Sequence, residues 1–514
     1  MVKGKPQEQK KKKAQKDLQN AISCGNVRNV IKAHKNGADI NLIDEDKFFT
    51  PIYVATMKRY FDVVKCLSDL GVTNVNTMTH TLYSALGIAT MYGDFAIIQE
   101  LVKLGADVNA LQSDKKISPI SLAISDIRIM KIFVEAGAQI NPRDSSGATP
   151  LYRACQEGRL ETVEYLTGLG ADVDTYQDAA INPIGVSVLH NFTDIVLNLL
   201  KHGSNVNSVQ YPGYSLIGVA VQNDNAEMIE LLASHGADVN HIDFAGSTAA
   251  YTASSKGFIR SLRVLQKYGA DFNILHEDAD EVGIVRVRSC IYIAAGTGYL
   301  DIVNLLCENG ADFTIKCTSK LADPMFIAAQ EGKLDVIKAL VGFGAYIDPS
   351  DTTVDCSPLF IAAKNGHLDV VKYLASQGAS VHVKATHCEV TPMIAASFHG
   401  HIRMMKLLQS LGADIEHATK DAVSPLSLSN LTQNTKVQKY TQKLISKKAS
   451  SCQGCQVSGT ATGVKLKLCS ACESVRYCCR KCQLDNYKAH KGECKRIRTE
   501  RESGCFVTTL TDAV

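Results

Sequence analysis

The sequence predicts a mainly α chain, a solenoid of about twelve to thirteen short helix pairs followed by a small cysteine-rich module. Three observations predict it. A glycine recurs at Gly37, Gly71, Gly105, Gly137, Gly170, Gly203, Gly236, Gly269, Gly310, Gly344, Gly378 and Gly412, at intervals of 34, 34, 32, 33, 33, 33, 33, 41, 34, 34 and 34 residues. Ahead of most of these glycines lie two apolar stripes at helical spacing. Nine of the 17 cysteines fall in the last 63 residues, at paired spacing.

Residues 357–379, SPLFIAAKNGHLDVVKYLASQGA, show how one copy works. Ser357 caps a helix, and Pro358 occupies its first position, where the missing N–H would have been unpaired anyway. Ala362 and Ala363 let a neighbour pack close, and Gly366 suits the left-handed residue of a tight turn. In the second helix Leu368, Val371 and Leu374 share one face, with Asp369 and Lys372 toward water. Gly378 ends it. Such a pair has an apolar stripe on each side and too little core to stand alone, so it stacks on its copies.

The opening [ST]-P-L and the closing G-A-D-x-N, as in Thr149-Pro150-Leu151 and Gly170-Ala171-Asp172-Val173-Asp174, resemble the ankyrin repeat. The resemblance covers about residues 17–446. It implies an α-solenoid with β-hairpin fingers projecting between each closing glycine and the next helix.

Taken in order, residues 1–16 carry Lys3, Lys5, Lys10, Lys11, Lys12, Lys13 and Lys16 with hardly an apolar residue, which reads as a disordered basic arm. The first repeat begins near Asp17, with Gln19 and Asn20 on the exposed edge of a terminal cap. Full openings follow at Thr50-Pro51, Ser118-Pro119, Thr149-Pro150, Asp323-Pro324, Ser357-Pro358 and Thr391-Pro392. Looser ones stand at Tyr83-Ser84, Asn182-Pro183, Tyr214-Ser215, Ser247-Thr248 and Ser289-Cys290. In the fourth repeat Asp126 replaces the inter-helix glycine and the span from Pro119 to Gly137 is two residues short, so irregular stacking and easier local opening are expected there.

The 41-residue interval holds an insertion, 274–290, in which an acidic stretch from His276 to Glu281 precedes Val285-Arg286-Val287-Arg288. It reads as a lengthened finger, either a contact feature or a tolerated surface insertion. Ser424-Pro425-Leu426 opens a thirteenth unit. There Val437, Tyr440, Leu444 and Ile445 share one face of a closing helix, with Lys436, Lys439, Lys443 and Lys447 toward water. A polar linker, 447–451, follows.

The net charge of +3 and 21% charged residues name no partner class. No apolar run approaches the roughly 18 residues of a membrane span, and the Lys-rich start leads into no signal-peptide core. A cytoplasmic or nuclear protein is expected, without membrane contact. Its eight scattered cysteines are then reduced thiols, and the clustered ones metal ligands.

The cluster over 452–494 pairs Cys452 with Cys455, Cys469 with Cys472, Cys478 with Cys482, and His490 with Cys494. Eight such ligands make two tetrahedral Zn²⁺ sites. The phrase Tyr477-Cys478-Cys479-Arg480-Lys481-Cys482-Gln483, then Tyr487, His490-Lys491 and Cys494, resembles the MYND-type zinc finger. By that resemblance the ligands interleave: Cys452, Cys455, Cys478 and Cys482 hold one zinc, and Cys469, Cys472, His490 and Cys494 the other. Three departures stand out. Cys479 takes a serine position as a spectator thiol, the loop 456–468 is long, and Tyr487 replaces the family tryptophan. The resemblance also implies docking of a proline-containing peptide, with Gln483 and Tyr487 at the contact surface. Residues 447–505 carry thirteen Lys/Arg against five Asp/Glu, a basic surface. The tail, 495–514, ends in a valine that suits a carboxylate-binding groove.

No phosphate-binding loop, nucleophile elbow or zinc-protease helix occurs in the sequence, so no catalytic residue and no small-molecule substrate are expected. His202, His235 and His367 sit at repeat positions, where packing explains them. The reading is a non-enzymatic adaptor whose array holds one protein while its finger recruits a second. A nucleic-acid-associated regulator using the basic arm and finger is the alternative, and a ubiquitin-ligase substrate receptor another.

Overall fold

A computed structural model describes residues 5–43, 49–80, 82–178, 181–279, 285–317, 322–348, 356–384, 390–415, 424–425, 435–448, 467–468 and 476–477. The chain divides into two compact units, Met1–Phe244 and Ala245–Val514. Among the described residues the first unit holds seven helix pairs, from Lys5–Ser23 and Val27–Lys35 to Leu216–Gln222 and Ala226–Ser234. The second holds five, from Ala249–Lys256 and Ile259–Lys267 to Pro392–Phe398 and Ile402–Ser410, and then a single helix, Thr435–Lys448.

The openings do what their chemistry predicts. The hydroxyls of Thr149, Ser289 and Ser357 accept the backbone N–H three residues on at 3.2, 3.2 and 3.1 Å. Asn182 does the same for Gly185 at 2.9 Å, so a loose opening is still a capped one. Helices of seven to nine residues would not persist alone. They persist because Val370, Val371 and Leu374 in one second helix, and Leu359, Phe360 and Ile361 in its partner, are buried between neighbours.

Asp323 is the exception among the caps. Its carboxylate accepts the Phe326 N–H at 2.7 Å. Burial pushes its carboxyl above the usual range, against the backbone hydrogen bonds that pull it down. An acid raised in the fold adds stability below its unfolded value and loses it as the pH climbs through the folded value, so at neutral pH the ionised group costs stability. Asp323→Ser keeps the cap without the charge. It is expected to raise the urea midpoint at pH 7, with the gain gone by about pH 4, and an equal gain at both pH values would show that the charge is irrelevant.

The phrase G-A-D-x-N acquires a tertiary meaning. The Asn76 amide accepts the Asp107 N–H at 2.7 Å and donates to the Gly105 carbonyl at 3.1 Å, both in the next repeat. Asn109, Asn207 and Asn273 repeat the clamp on Gln139 and Gly137, on Asp238 and Gly236, and on Asp312 and Gly310. These four asparagines thus tie each of their turns to the neighbouring repeat of the same unit.

The N-terminal expectation needs correction. The arm predicted to be disordered over 1–16 belongs, from Lys5 onward, to the helix Lys5–Ser23. Ala14, Leu18, Ala21 and Ile22 are buried at helical spacing, and Gln15 exchanges two hydrogen bonds with the Asp39 backbone at 2.9 and 3.0 Å. The Lys, Gln and Glu residues ahead of this anchor are good helix formers and extend it. The first repeat therefore begins well before Asp17.

In the fourth repeat the first helix shrinks to Pro119–Leu122, and Asp126 caps the second by accepting the Arg128 N–H at 2.9 Å. The insertion forms an antiparallel hairpin, His276–Ala279 with Val285–Arg288. In the terminal helix Val437 is buried and the Tyr440 hydroxyl donates to Gln409 at 3.0 Å. The side chains of Leu444 and Ile445 lie outside the described residues. That helix runs through Lys448, into the segment expected to be linker.

Candidate functional site

The fingers are the part of each repeat not consumed by helix packing, and their register is set by one residue. In three repeats, counting 25 positions on from the third residue of the first helix leads to a finger side chain that packs back onto that residue. Gln112 is fully buried; its amide oxygen accepts the Ser84 N–H at 2.8 Å, and its amide nitrogen donates to the Ala110 carbonyl at 2.6 Å. A Cβ at Gly87 would lie 2.2 Å from that oxygen, so a larger residue there would have to displace the Gln112 side chain from its hydrogen bonds. Gln210 repeats the arrangement over Gly185, accepting the Asn182 N–H at 3.1 Å. Where the third residue is Tyr251, the closing side chain is His276, stacked on the ring at 4.2 Å. Sequence reasoning missed both glutamines, although the pairing of Gly87 with Gln112 and of Gly185 with Gln210 at one spacing was a usable signal.

Neighbouring fingers are laced together. Ser113 N–H donates to Leu82 at 2.7 Å, Ser145 to Lys115 at 2.9 Å, and Asp178 to Ser146 at 2.8 Å. Asp144 anchors the middle of this ladder. Its carboxylate accepts from Ser146 N–H at 2.8 Å and from Ala148 N–H at 3.0 Å, and pairs with Arg153. Burial pushes that carboxyl up, but the hydrogen bonds from Ser146 and Arg153 outweigh it and hold it below the usual range. The ladder ties together the fingers between residues 82 and 178. Tyr211, Phe244 and Tyr346 are 70%, 81% and 75% exposed, the largest exposures of large hydrophobic side chains among the described residues. A groove of about 400 Å³ lies between the first two repeats, its lining mixing polar Gln15, Gln19 and Lys58 with apolar Leu42, Phe49 and Met57.

The histidines at repeat positions have structural partners. His202 and His235 meet the Asn198 and Leu231 carbonyls at 2.8 Å, and His367 the Gln330 carbonyl at 2.8 Å. Burial pushes the Cys155 and Cys290 thiols up to about 12, so neither is a nucleophile at neutral pH. Among the described residues no helix is long and apolar enough to cross a membrane.

The expected zinc ligands Cys452, Cys455, Cys469, Cys472, Cys478, Cys482, His490 and Cys494 lie outside the described residues, as do Cys479, Gln483 and Tyr487. What is described there is an antiparallel pairing of Lys467–Leu468 with Arg476–Tyr477. In sequence, Cys469 and Cys472 fall between those strands and Cys478 directly follows the second. Seven thiols and one imidazole are the donor types that zinc takes.

Comparison with known proteins agrees with this architecture. Models of the ankyrin repeat match residues 18–112, 86–177, 184–276 and 325–419, and 288–318 as a single repeat. A MYND finger model, that of a zinc-binding module, matches 447–494. The Caenorhabditis elegans protein mask-1, an ankyrin repeat and KH domain-containing protein, is 28% identical over 207 residues, 35% of this chain and 8% of its own length. Human protein phosphatase 1 regulatory subunit 27 is 42% identical over 53 residues, 10% of this chain and 34% of its own. The chain therefore spans well under two thirds of these relatives. The ankyrin repeat domain of Bcl-3 aligns with a TM-score of 0.38 at 24% identity, covering 43% of this chain and 96% of that domain. The ankyrin-repeat models match well over half of the chain, so the chain belongs to the ankyrin-repeat family, carrying a MYND finger over residues 447–494.

Proposed function

We propose that the protein is a non-enzymatic adaptor, its ankyrin array holding one protein while the finger recruits a second through a short, proline-containing peptide. The observation that carries this reading is the presence of two different protein-interaction modules on one chain. The asparagine clamps and the finger ladder add to it, because a pre-ordered surface loses little conformational freedom on binding. The relative named as a phosphatase regulatory subunit fits a role exercised through another protein. Joining two partners raises their effective concentration for each other.

In this reading the finger takes two Zn²⁺, one on Cys452, Cys455, Cys478 and Cys482 and one on Cys469, Cys472, His490 and Cys494. Gln483 and Tyr487 face the peptide. The array extends to about residue 446, the finger fills 452–494, and the site of action is the cytoplasm or nucleus.

The test is affinity purification of the full chain beside a version ending at Ser450, with mass spectrometry before and after nuclease treatment. Partners lost with the finger and resistant to nuclease support the adaptor. Partners that vanish with nuclease favour the nucleic-acid reading, and identical partner sets would remove the finger from recruitment. Tyr487→Ala is expected to keep both zincs and weaken the finger-dependent partner about tenfold; unchanged affinity would remove Tyr487 from the contact.

A further inference from the structure

Compared position by position, the second helices of the repeats reverse their charge at the end of the array. The three before Ile402–Ser410 each carry an aspartate as second residue, Asp301, Asp335 and Asp369. A carboxylate there meets the positive end of the helix dipole, and Asp335 and Asp369 also pair with Lys338 and Lys372 three residues on, at 3.1 and 3.7 Å. In Ile402–Ser410 the same two positions hold Arg403 and Lys406, and in Thr435–Lys448 they hold Lys436 and Lys439. Neither helix has an acid in its first turn. A cation at a helix N-terminus opposes the dipole, so helix formation does not explain Arg403 or Lys436. Nor does ion pairing. Arg128, at the same position of Ile127–Glu135, is held by Asp126 at 2.7 Å, whereas among the described residues Arg403, Lys436 and Lys439 meet no carboxylate.

The two helices present these cations on one surface. The Tyr440 hydroxyl donates to Gln409 at 3.0 Å and the Lys406 ammonium lies 5.7 Å from the centre of the Tyr440 ring, so the closing helix is tied to its neighbour. Arg403, Lys406, Lys436 and Lys439 are all exposed. Four residues on from Arg403 and Lys436, and so on the same helical faces, Leu407 and Tyr440 are half-buried. Among the described residues from 390 to 443 the only acid is Asp414, which lies beyond the far end of Ile402–Ser410 and is already engaged.

The spacing selects the occupant. Residues three apart on a helix are about 5–6 Å from each other, and neighbouring helices pack at about 8–10 Å. Carboxylates three and four residues apart along a partner helix have the same pitch, and apolar residues beside them would meet Leu407 and Tyr440. A nucleic acid needs a longer track, since a duplex carries one charge about every 1.7 Å, and one repeat back the face returns to Asp369 with its paired lysine.

We propose that the face formed by Ile402–Ser410 and Thr435–Lys448 docks an acidic amphipathic helix of a partner protein. This rests on the adaptor reading and specifies the chemistry of one partner. The test titrates the full-length protein into fluorescein-labelled amphipathic peptides of about 20 residues, long enough to form helix alone. One carries glutamates three and four residues apart, and two others carry glutamines or lysines in their place; a labelled thymidine oligonucleotide is the fourth probe. The glutamate peptide is expected to bind at least about tenfold tighter than the glutamine one, and to lose most of that advantage by about 0.5 M salt. Arg403→Glu with Lys436→Glu restores the charge that Asp335 and Asp369 supply at this position, which keeps the fold, and should weaken the glutamate peptide about tenfold or more. An unchanged thermal melt verifies the fold. Lys65→Gln, at the position of Lys406 in the first unit's helix Phe61–Asp69, should change affinity less than about twofold.

The proposal is overturned if the double variant binds the glutamate peptide like the parent, which would assign that binding to the basic finger, if Lys65→Gln loses as much, or if the glutamine or lysine peptide binds as tightly. An oligonucleotide that binds tighter than the glutamate peptide, and is lost in the double variant, would give the face to nucleic acid and overturn it too. So would a parent that self-associates in sedimentation when the double variant does not. Failure here with the co-purifying partners intact sinks only this site. Loss of all partners on nuclease treatment sinks the adaptor reading itself.

Discussion

Cys469→Ser is expected to unfold residues 452–494 while leaving the helical signal of the array nearly unchanged. A module of about 43 residues is too short to gain much stability from burial alone, so on the proposed ligand set metal binding is expected to supply its folding energy. In zinc-finger peptides that energy is about 10–16 kcal/mol at neutral pH, and removing one thiolate forfeits much of it. The array has its own source of stability in side chains such as Leu18, Ile98, Leu151 and Leu374, all fully buried. Zinc content by mass spectrometry, protease sensitivity after Ser450 and a circular-dichroism melt check the prediction together. A variant that lost its cooperative array melt would show that finger and array do not fold independently.

Phe133→Ala is expected to cost about 3–5 kcal/mol, at the weakest point of the first unit. Phe133 and Met130 are fully buried and Ile129 nearly so, in the helix Ile127–Glu135. The partner helix is only Pro119–Leu122, so this face carries apolar burial that a longer first helix shares elsewhere. The next repeat reaches back through the Thr162 hydroxyl to the Ile124 carbonyl at 2.8 Å. In a solenoid each repeat depends on its neighbours' interfaces, so a cavity here weakens coupling on both sides. Urea unfolding of residues 1–244 should lose cooperativity, and amide exchange should quicken first near 119–137. A single sharp transition with a loss under about 1 kcal/mol would mean that the short repeat is not a weak link.

The sequence by itself determined the helix pairs, their capping residues, the period and the cysteine spacing, because these follow from local chemistry. A Ser-Pro opening caps a helix whatever lies beyond it, as Ser357 does. The irregular fourth repeat and the lengthened finger at 274–290 were legible for the same reason: a missing glycine and an extra stretch of chain are local facts. The paired cysteine spacing was legible as a pattern that matches a MYND finger, a zinc-binding module, but how such residues would pair onto metal is a matter of three-dimensional arrangement that spacing leaves open.

Only the tertiary structure decided what each residue meets in the next repeat. It turned the closing asparagines into clamps, put Gln112 and Gln210 over Gly87 and Gly185, and drew the lysine-rich start into a helix through Leu18 and Ile22. It also brought Phe244 onto Gly213, joining two fingers into one aromatic surface. The physical reason is common to all four. Local preference chooses helix or turn from a few neighbouring residues, whereas these contacts join groups more than ten residues apart, whose meeting depends on how one repeat stacks on another.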